Sequence, residues 1–444
     1  MVRPVRRMIS PLEAFIASEV SGGVVLLVAT AVALIWANSP WSASYQELWG
    51  ARLRVAVNGA GLDLTLHQWI NDGLMALFFL LVGLEIKREL LVGELASPRQ
   101  AALPVAAAVG GAVTPALIYA ALNAGSDAIR GWGVPMATDI AFALGALALL
   151  GSRVPLGLKV FLTALAIADD LVAVLVIALF YAGELDGRTL ALAGAILAGL
   201  LALNRARVAQ PLAYAALGVG LWLALLHSGI HATIAGVLLA LTIPARTRID
   251  PGEFRERVAA ALEAFGDARA PGRSVLSDAR HQRALRATEA AARQAQSPMQ
   301  RVEDALNRWV TFGIVPLFAL ANAGVALGGQ LGAVGDRVTL GIVVGLFVGK
   351  QLGITGATWL LVRTGVSSLP SGVSWRHIHG IATLAGIGFT MALFIAELAF
   401  AETAHLTSAK VGIFAASLIS GAVGLALLRR TPAPGMRPVA EPAG

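Results

Sequence analysis

Twelve stretches of this chain are apolar and about long enough to cross a bilayer: 14–37, 64–86, 99–122, 130–150, 156–181, 189–203, 210–226, 228–243, 309–328, 339–361, 377–400 and 407–428. A helix rising 1.5 Å per residue needs roughly 20 residues to span the hydrocarbon layer, and helical winding satisfies the backbone where water is missing. The pattern therefore predicts twelve transmembrane helices. One segment interrupts it. Residues 245–308 are polar and rich in Arg, Ala and Glu, with helical stretches expected around 252–265 and 276–296, split by Pro271-Gly272. The resulting division is a cytoplasmic N-terminus at 1–13, helices 1–8 over 14–244, a charged cytoplasmic loop at 245–308, helices 9–12 over 309–428 and a cytoplasmic tail at 429–444.

Composition agrees with the pattern: 57% of the 444 residues are hydrophobic and 14% charged, and the mean hydropathy is +0.73. The 48 Gly and 19 Pro imply helices that pack closely or are interrupted. With no Cys, disulfides, thiolate metal sites and cysteine nucleophiles are excluded. The net charge of +7 could suggest a nucleic-acid partner, but in a polytopic chain such an excess marks the cytoplasmic loops. Short segments on one side carry 14 Lys and Arg, beginning with Arg3, Arg6 and Arg7, against 6 on the other, Lys410 among them. Both termini are thus expected in the cytoplasm of a multi-pass protein of the bacterial inner membrane. The first window is longer than a signal-peptide core, and no small-residue cleavage site follows it, so it should remain as an anchored helix. Within 245–308, twelve Arg face nine acids, which suits solvated helix surface or contact with lipid headgroups.

Four charges fall where charge is expensive. Asp169 and Asp170 lie midway through the fifth window, Lys350 midway through the tenth, and Asp139 in the fourth beside Thr138. At roughly 2.5–3.5 kcal/mol each at the bilayer centre, they must face one another or water. Successive helix residues point about 100° apart, so Asp169 and Asp170 cannot both meet Lys350; one can pair while the other lines a cavity. Such a carboxylate can accept either a proton or a small hard cation, and competition between the two couples their fluxes. Lys350 can neutralise a carboxylate until a cation displaces it; the bland alternative is an Asp–Lys pair that only fixes helix packing. Gly131, Gly133 and Pro135 precede Asp139, and Gly386 and Gly388 sit in the eleventh window, so both helices look breakable. Windows 3–5 and 10–12 then form two triplets of opposite direction. The expected fold is an all-α membrane protein with an inverted-topology repeat and two broken helices crossing at mid-membrane, Asp139 compensating the N-terminal ends and Lys350 the C-terminal ends.

The segments ATDIAFALG at 137–145, AIADDLVAVL at 166–175, NDGLMALFFLLVGLEIKREL at 71–90, SGIHATIAG at 228–236, PLFALANAGV at 316–325 and GIGFTMALFIA at 386–396 together resemble the NhaA family of bacterial sodium/proton antiporters. The resemblance runs from about residue 10 to 428, apart from the 245–300 insert, which is longer than usual for that family. The family is itself an example of the inverted-repeat architecture, so the two readings are not independent. The resemblance implies pH-regulated, electrogenic export of Na⁺ or Li⁺ in exchange for H⁺. It implies Asp170 and Asp169 as cation and proton carriers with Thr138 beside the transported Na⁺, Asp139 at the helix crossing, and Lys350 as partner of the aspartate pair. The pH response would fall on Glu85, Lys87, Arg88, Glu89, His231 and Glu303, with Asp72 on the helix that carries Glu85. No cofactor is implied, the bilayer is the surrounding partner, and a homodimer is the candidate assembly. After Glu303, where familiar members carry histidines, this chain reads Asp304-Ala305-Leu306-Asn307, so groups titrating near pH 6.5 are missing there.

Lesser candidates have bland readings beside them. Glu397, near the end of its window, should snorkel to water or make an accessory cation contact; Lys159 should snorkel. His231 is a packing histidine or a proton relay. Asn322 should bond a broken-helix carbonyl or a neighbouring helix. The competing function is an intramembrane aspartyl hydrolase, but adjacent aspartates do not suit two-helix water activation and no GxGD occurs. A transporter of another cation on the same fold is the nearer alternative. Central Lys350 disfavours an open cation pore, and without GxxxxGK[ST] an ATP-driven pump is disfavoured too.

Overall fold

The computed structural model describes residues 11–57, 60–208, 210–247, 249–266, 279–326, 335–401 and 403–431. Arg3, Arg6, Arg7, Arg248, Arg269, Arg273, Pro271-Gly272 and Arg437 lie outside the described residues. The described residues are helical almost throughout. In order come α1 (Pro11–Ala37), α2 (Ser42–Gly50), a β-hairpin of β1 (Arg52–Val57) and β2 (Ala60–Thr65), α3 (Leu66–Val92) and α4 (Pro98–Leu122). A 3₁₀ segment, Asp127–Met136, leads into α5 (Ile140–Ala148), followed by α6 (Leu156–Phe180), α7 (Gly187–Arg205), α8 (Pro211–Leu226) and α9 (Ile234–Thr242). The polar segment supplies α10 (Pro251–Gly266) and α11 (Ala279–Ala295). Then come α12 (298–322), α13 (Arg337–Arg363), α14 (Trp375–Leu384), α15 (Phe389–Phe400) and α16 (His405–Arg430).

Among the described residues seven helices are long and apolar enough to cross a membrane, or nine if each of two bent pairs counts as one span. This is fewer than the twelve windows in the sequence: α8, at 16 residues, is an unbroken helix that is too short, and two other windows are interrupted. The window 228–243 begins in a turn, with Gly229 at φ +83°, and becomes helical only at Ile234. The window 309–328 opens in the middle of a helix that starts at Pro298 and carries charge over its first turns. The β-hairpin was not foreseen, although Leu53, Arg54 and Val55 alternate in polarity as a strand requires. Its register pairs Arg52 with Thr65 and Arg54 with Asp63, and Arg52 Nε donates to Asp63 Oδ1 at 3.0 Å.

Both expected helix breaks are present. In the first, winding tightens to 3₁₀ over Asp127–Met136, Ala137 and Asp139 are extended, and α5 starts afresh at Ile140. In the second, α14 and α15 are bent 47° apart across 385–388. A Cβ on Gly388 would press on Leu346 and the Ala137 carbonyl, so glycine is what lets the second break approach the first. α3, α12 and α13 each hold a π-helical turn, at Trp69–Leu74, Val310–Ile314 and Gly345–Gly349. Such turns insert an extra residue and collect at functional sites.

The polar segment forms a helical hairpin close to the expected bounds, α10 packing on α11. Arg257 Nη1 donates to Gln294 Oε1 at 2.8 Å across it, and the Phe265 and His281 rings meet edge to face at 4.5 Å.

Candidate functional site

α4 and α13 approach so closely that a Cβ on Gly353 would collide with the Gly110 carbonyl and one on Gly349 would strike Pro115, while one on Gly345 would press on Pro135 of the 3₁₀ segment. Small residues at such a seam let backbones touch inside a bilayer. The approach draws Lys350, the residue just after the π turn of α13, into the centre of the bundle, where it is fully buried. α6 brings Asp169 and Asp170 to the same depth, 1% and 2% exposed. Lys350 Nζ lies 2.8 Å from Asp169 Oδ2, and the same oxygen accepts the Thr138 N–H at 2.8 Å. Asp170, about 100° further round α6, is turned from Lys350 towards a narrow cavity. Oδ1 of Asp169 and Oδ1 of Asp170 are buried without a hydrogen-bond partner.

Asp139 sits where the two breaks meet. Its Oδ1 accepts the Phe142 N–H at 3.1 Å, capping α5. Its Oδ2 accepts the Thr390 N–H at 3.0 Å and the Thr390 hydroxyl at 2.5 Å, at the start of α15. One carboxylate thus serves two helix N-termini, each carrying partial positive charge. The opposite end, where α14 stops, is satisfied by other groups: the Thr138 hydroxyl donates to the Ala385 carbonyl at 2.9 Å and the Asp139 N–H to the Ile387 carbonyl at 2.7 Å. The ammonium of Lys350 is engaged by Asp169, and among the described residues no hydrogen bond joins it to the carbonyls where α14 ends. A lysine forced to choose in a desolvated core meets the full carboxylate charge in preference to a fractional dipole.

A narrow funnel with about 80 Å³ of room reaches this centre, and Asp170, Asp139, Thr390, Glu85, Asn307 and Thr311 line it with apolar residues. That volume admits several waters. A wider cavity of about 810 Å³ bordered by Trp69, Tyr214, Trp222 and Leu306 has no carboxylate in its lining and lies apart from this chemistry.

The other charged candidates separate into groups. Lys87 Nζ donates to the carbonyls of Ala240, Leu241 and Ile243 at 3.3, 2.8 and 2.5 Å, closing the C-terminus of α9. Arg88 is ion-paired with Glu303 on α12, where Glu303 is 8% exposed. Burial pushes the Glu303 carboxyl up from its ordinary value, and the Arg88 guanidinium opposes this without cancelling it. Glu89 Oε2 accepts the Glu94 N–H at 2.9 Å. His231 stands at the far end of α9 from Lys87 and is bonded through Nε2 to the Tyr181 carbonyl at 2.6 Å, so it is not in the cluster with Arg88 and Glu303. The Asp72 carbonyl accepts the Trp222 Nε1–H at 2.8 Å.

Two further departures concern α15 and α16. Glu397 is turned mostly inward: its side chain is 10% exposed and its Oε1 lies 2.6 Å from Nζ of Lys410, itself 11% exposed. Lys410 is therefore an internal partner and not a loop charge. Asn322 meets the second of its expectations, donating to Asn71 Oδ1 of the neighbouring α3 at 2.9 Å; its other bond, to the Phe318 carbonyl at 2.9 Å, stays within α12 and reaches no broken helix. Thr390 escaped the sequence reading because a threonine in an apolar helix costs little; its place two residues after Gly388 was the only signal.

The chain matches the family model described as Na+/H+ antiporter 1 over residues 13–428. It is 52% identical over 428 residues to the Na(+)/H(+) antiporter NhaA of Oleidesulfovibrio alaskensis, covering 96% of this chain and 95% of that one. It is 50% identical to the NhaA of Syntrophobacter fumaroxidans, over 95% of this chain and 90% of that one. Against the NhaA 2 of Syntrophotalea carbinolica it is likewise 50% identical, over 95% and 97%.

Proposed function

We propose, from the premise that the chain belongs to the Na+/H+ antiporter 1 family, that it exchanges Na⁺ for H⁺ through the Asp169–Asp170–Asp139 centre. It is a transporter of a bacterial membrane and not an enzyme. The observation that carries the mechanism is the division of labour between neighbours: Asp169 is held by Lys350 while Asp170 faces the funnel. A cation arriving by the funnel meets Asp170 first, with Asp139 and Thr390 close by. Full coordination requires Asp169 to turn from Lys350, which frees the ammonium, and protons returning to the carboxylates expel the cation. Na⁺ and Li⁺ share the hard-oxygen chemistry that this donor set offers.

The finer architecture is proposed with it: twelve crossings, the shorter helices α8 and α9 and the charge-bearing α12 supplying the remainder, and an inverted repeat relating 99–181 to 339–428. The two breaks meeting at Asp139 and Ile387 support that symmetry. With the internal Lys410 left out, the bias of 14 basic residues to 5 supports cytoplasmic termini and a funnel that opens inward past Glu85 and Asn307, towards Arg88 and Glu303. Regulation by pH is assigned to the Arg88–Glu303 pair together with Glu85, Lys87 and Glu89. In everted vesicles, Na⁺ or Li⁺ should collapse a preformed proton gradient in the unmodified protein and fail to do so in Asp170→Asn; full exchange in that variant would end this reading.

A further inference from the structure

Three helices that border the funnel share one sequence of layers. Along α3 come Glu85 in the funnel, Phe79, and then Asn71 and His67. Along α12 come Asn307 and Thr311, Phe318, and then Asn322. Along α15 come Thr390, Phe394 and Glu397, spaced four and three apart and hence on one face. In each case an aromatic ring stands between the funnel and a second polar layer. The three rings meet: Phe394, 1% exposed, has its ring centroid 5.2 Å from Phe79 and 6.1 Å from Phe318.

The polar layer beyond the rings repeats the chemistry of the centre. Glu397 Oε1 is ion-paired with Lys410 of α16 at 2.6 Å but accepts no hydrogen bond, a looser counterpart of the hydrogen-bonded Asp169–Lys350 pair. From α3, His67 Nε2 lies 3.9 Å from Glu397 Oε1 and 2.9 Å from Asn322 Oδ1, and the His67 side chain is 31% exposed, connecting the layer to the surface. From α2, the Tyr45 phenol donates to the carbonyls of Leu320 and Ala321 at 2.8 and 3.0 Å, where α12 ends. A pair used for packing alone needs no amide and imidazole neighbours leading outward. Seven residues separate Thr390 from Glu397, about 10 Å of helix rise, which is a short step for a small cation.

We propose that Glu397, with Lys410 as its displaceable counter-charge, is a second Na⁺ station on the outer half of the path, and that the Phe79–Phe318–Phe394 stack is the barrier between it and the Asp169–Asp170 centre. The inference rests on the antiport reading and adds to it an outer binding step. When the rings part, a cation leaving the centre is received by the Glu397 carboxylate as Lys410 withdraws, and His67 and Asn322 supply oxygen and nitrogen ligands for its water shell on the way out.

The test uses the full chain in everted and in right-side-out membrane vesicles, so that Na⁺ is offered to the inner or the outer face. Glu397→Gln is expected to raise the apparent KM for Na⁺ at the outer face about tenfold and leave the inner-face KM unchanged, and Glu397→Asp to recover most of the outer-face value. A KM unchanged at both faces, or raised equally at both, would overturn the proposal. The double variant Glu397→Gln/Lys410→Met removes the orphaned ammonium: a wild-type outer-face KM there would reduce the pair to packing, while a KM still raised only outside supports the station. Absence of exchange in the unmodified protein would strike the antiport reading instead, and that outcome is read in the same vesicles.

Discussion

Thr390 gives both its N–H and its hydroxyl to one oxygen of Asp139, while the other oxygen of that carboxylate caps α5. The two helix breaks are therefore joined through a single side chain, and the joint can be weakened in steps. Thr390→Val keeps the backbone bond, removes the hydroxyl and preserves side-chain shape. A hydrogen bond to a charged group contributes about 1.5–3 kcal/mol, so the variant should melt at a lower temperature and exchange more slowly without losing exchange. A melting temperature equal to that of the unmodified protein would show that the hydroxyl bond contributes nothing.

Asp169→Asn and Asp170→Asn should differ although the residues are adjacent. Both should abolish detectable exchange. Asp169→Asn also leaves the Lys350 ammonium without its carboxylate in a fully buried site, a loss of about 3–5 kcal/mol. Asp170→Asn removes a negative charge from beside two others and orphans no cation. Detergent-solubilised Asp170→Asn should keep or exceed the parent thermal stability while Asp169→Asn falls well below it; the reverse order would contradict the assignment of the pair.

Glu303, in the polar turns of α12 that precede the 309–328 window, is expected to make stability depend on pH. Its folded-state pKa is raised above that of an unfolded glutamate, chiefly by burial, with Arg88 opposing. The sign comes from linkage: the folded state holds this proton more tightly, so its stabilising contribution is present at acid pH and is lost as pH rises through the raised value. Above it, the charge is sustained by Arg88. Glu303→Gln should flatten the dependence of melting temperature on pH over that interval and make the pH profile of exchange shallower. Identical slopes with and without the carboxylate would remove Glu303 from the pH response.

The α4–α13 seam should tolerate no side chain at its tightest point. At Gly353 an added Cβ meets backbone, which cannot rotate away, so Gly353→Val is expected to cost about 1–3 kcal/mol or more and to displace Lys350 three residues before it. Gly356 on the same helix has open space at its Cβ, so Gly356→Ala should be neutral or mildly stabilising. Equal yields and melting temperatures for the two variants would show that the seam is not tight.

The features legible in the sequence were those that the bilayer makes costly. Asp139, Asp169, Asp170 and Lys350 stood out because a charge amid apolar residues is expensive, and the structure gathers them at one depth. The breaks could be read from Gly131, Gly133, Pro135, Gly386 and Gly388, since those residues weaken helices. Pairings were harder to see. Lys350 was expected at helix C-termini, and Lys87 is the lysine that closes one, because only tertiary packing decides which ammonium meets which carbonyl. Glu397 and Lys410 each lay close enough to a span end to look solvated, and nothing in either window announced that they face each other. Thr390 carried no cost and hence no signal. The hairpin of Arg52–Val57 and Ala60–Thr65 was short enough to pass as a connecting loop.

The π turn at Gly345–Gly349 ends one residue before Lys350. Rewinding that turn to ordinary α geometry would rotate the helix from Lys350 onward by roughly 100° and shift it by about 1.5 Å, at the expense of a single turn of hydrogen bonds. The azimuth of the ammonium is thus tied to the seam: a rewound turn would carry Gly353 away from Gly110 along with Lys350, so the close glycine contact also holds the lysine on Asp169.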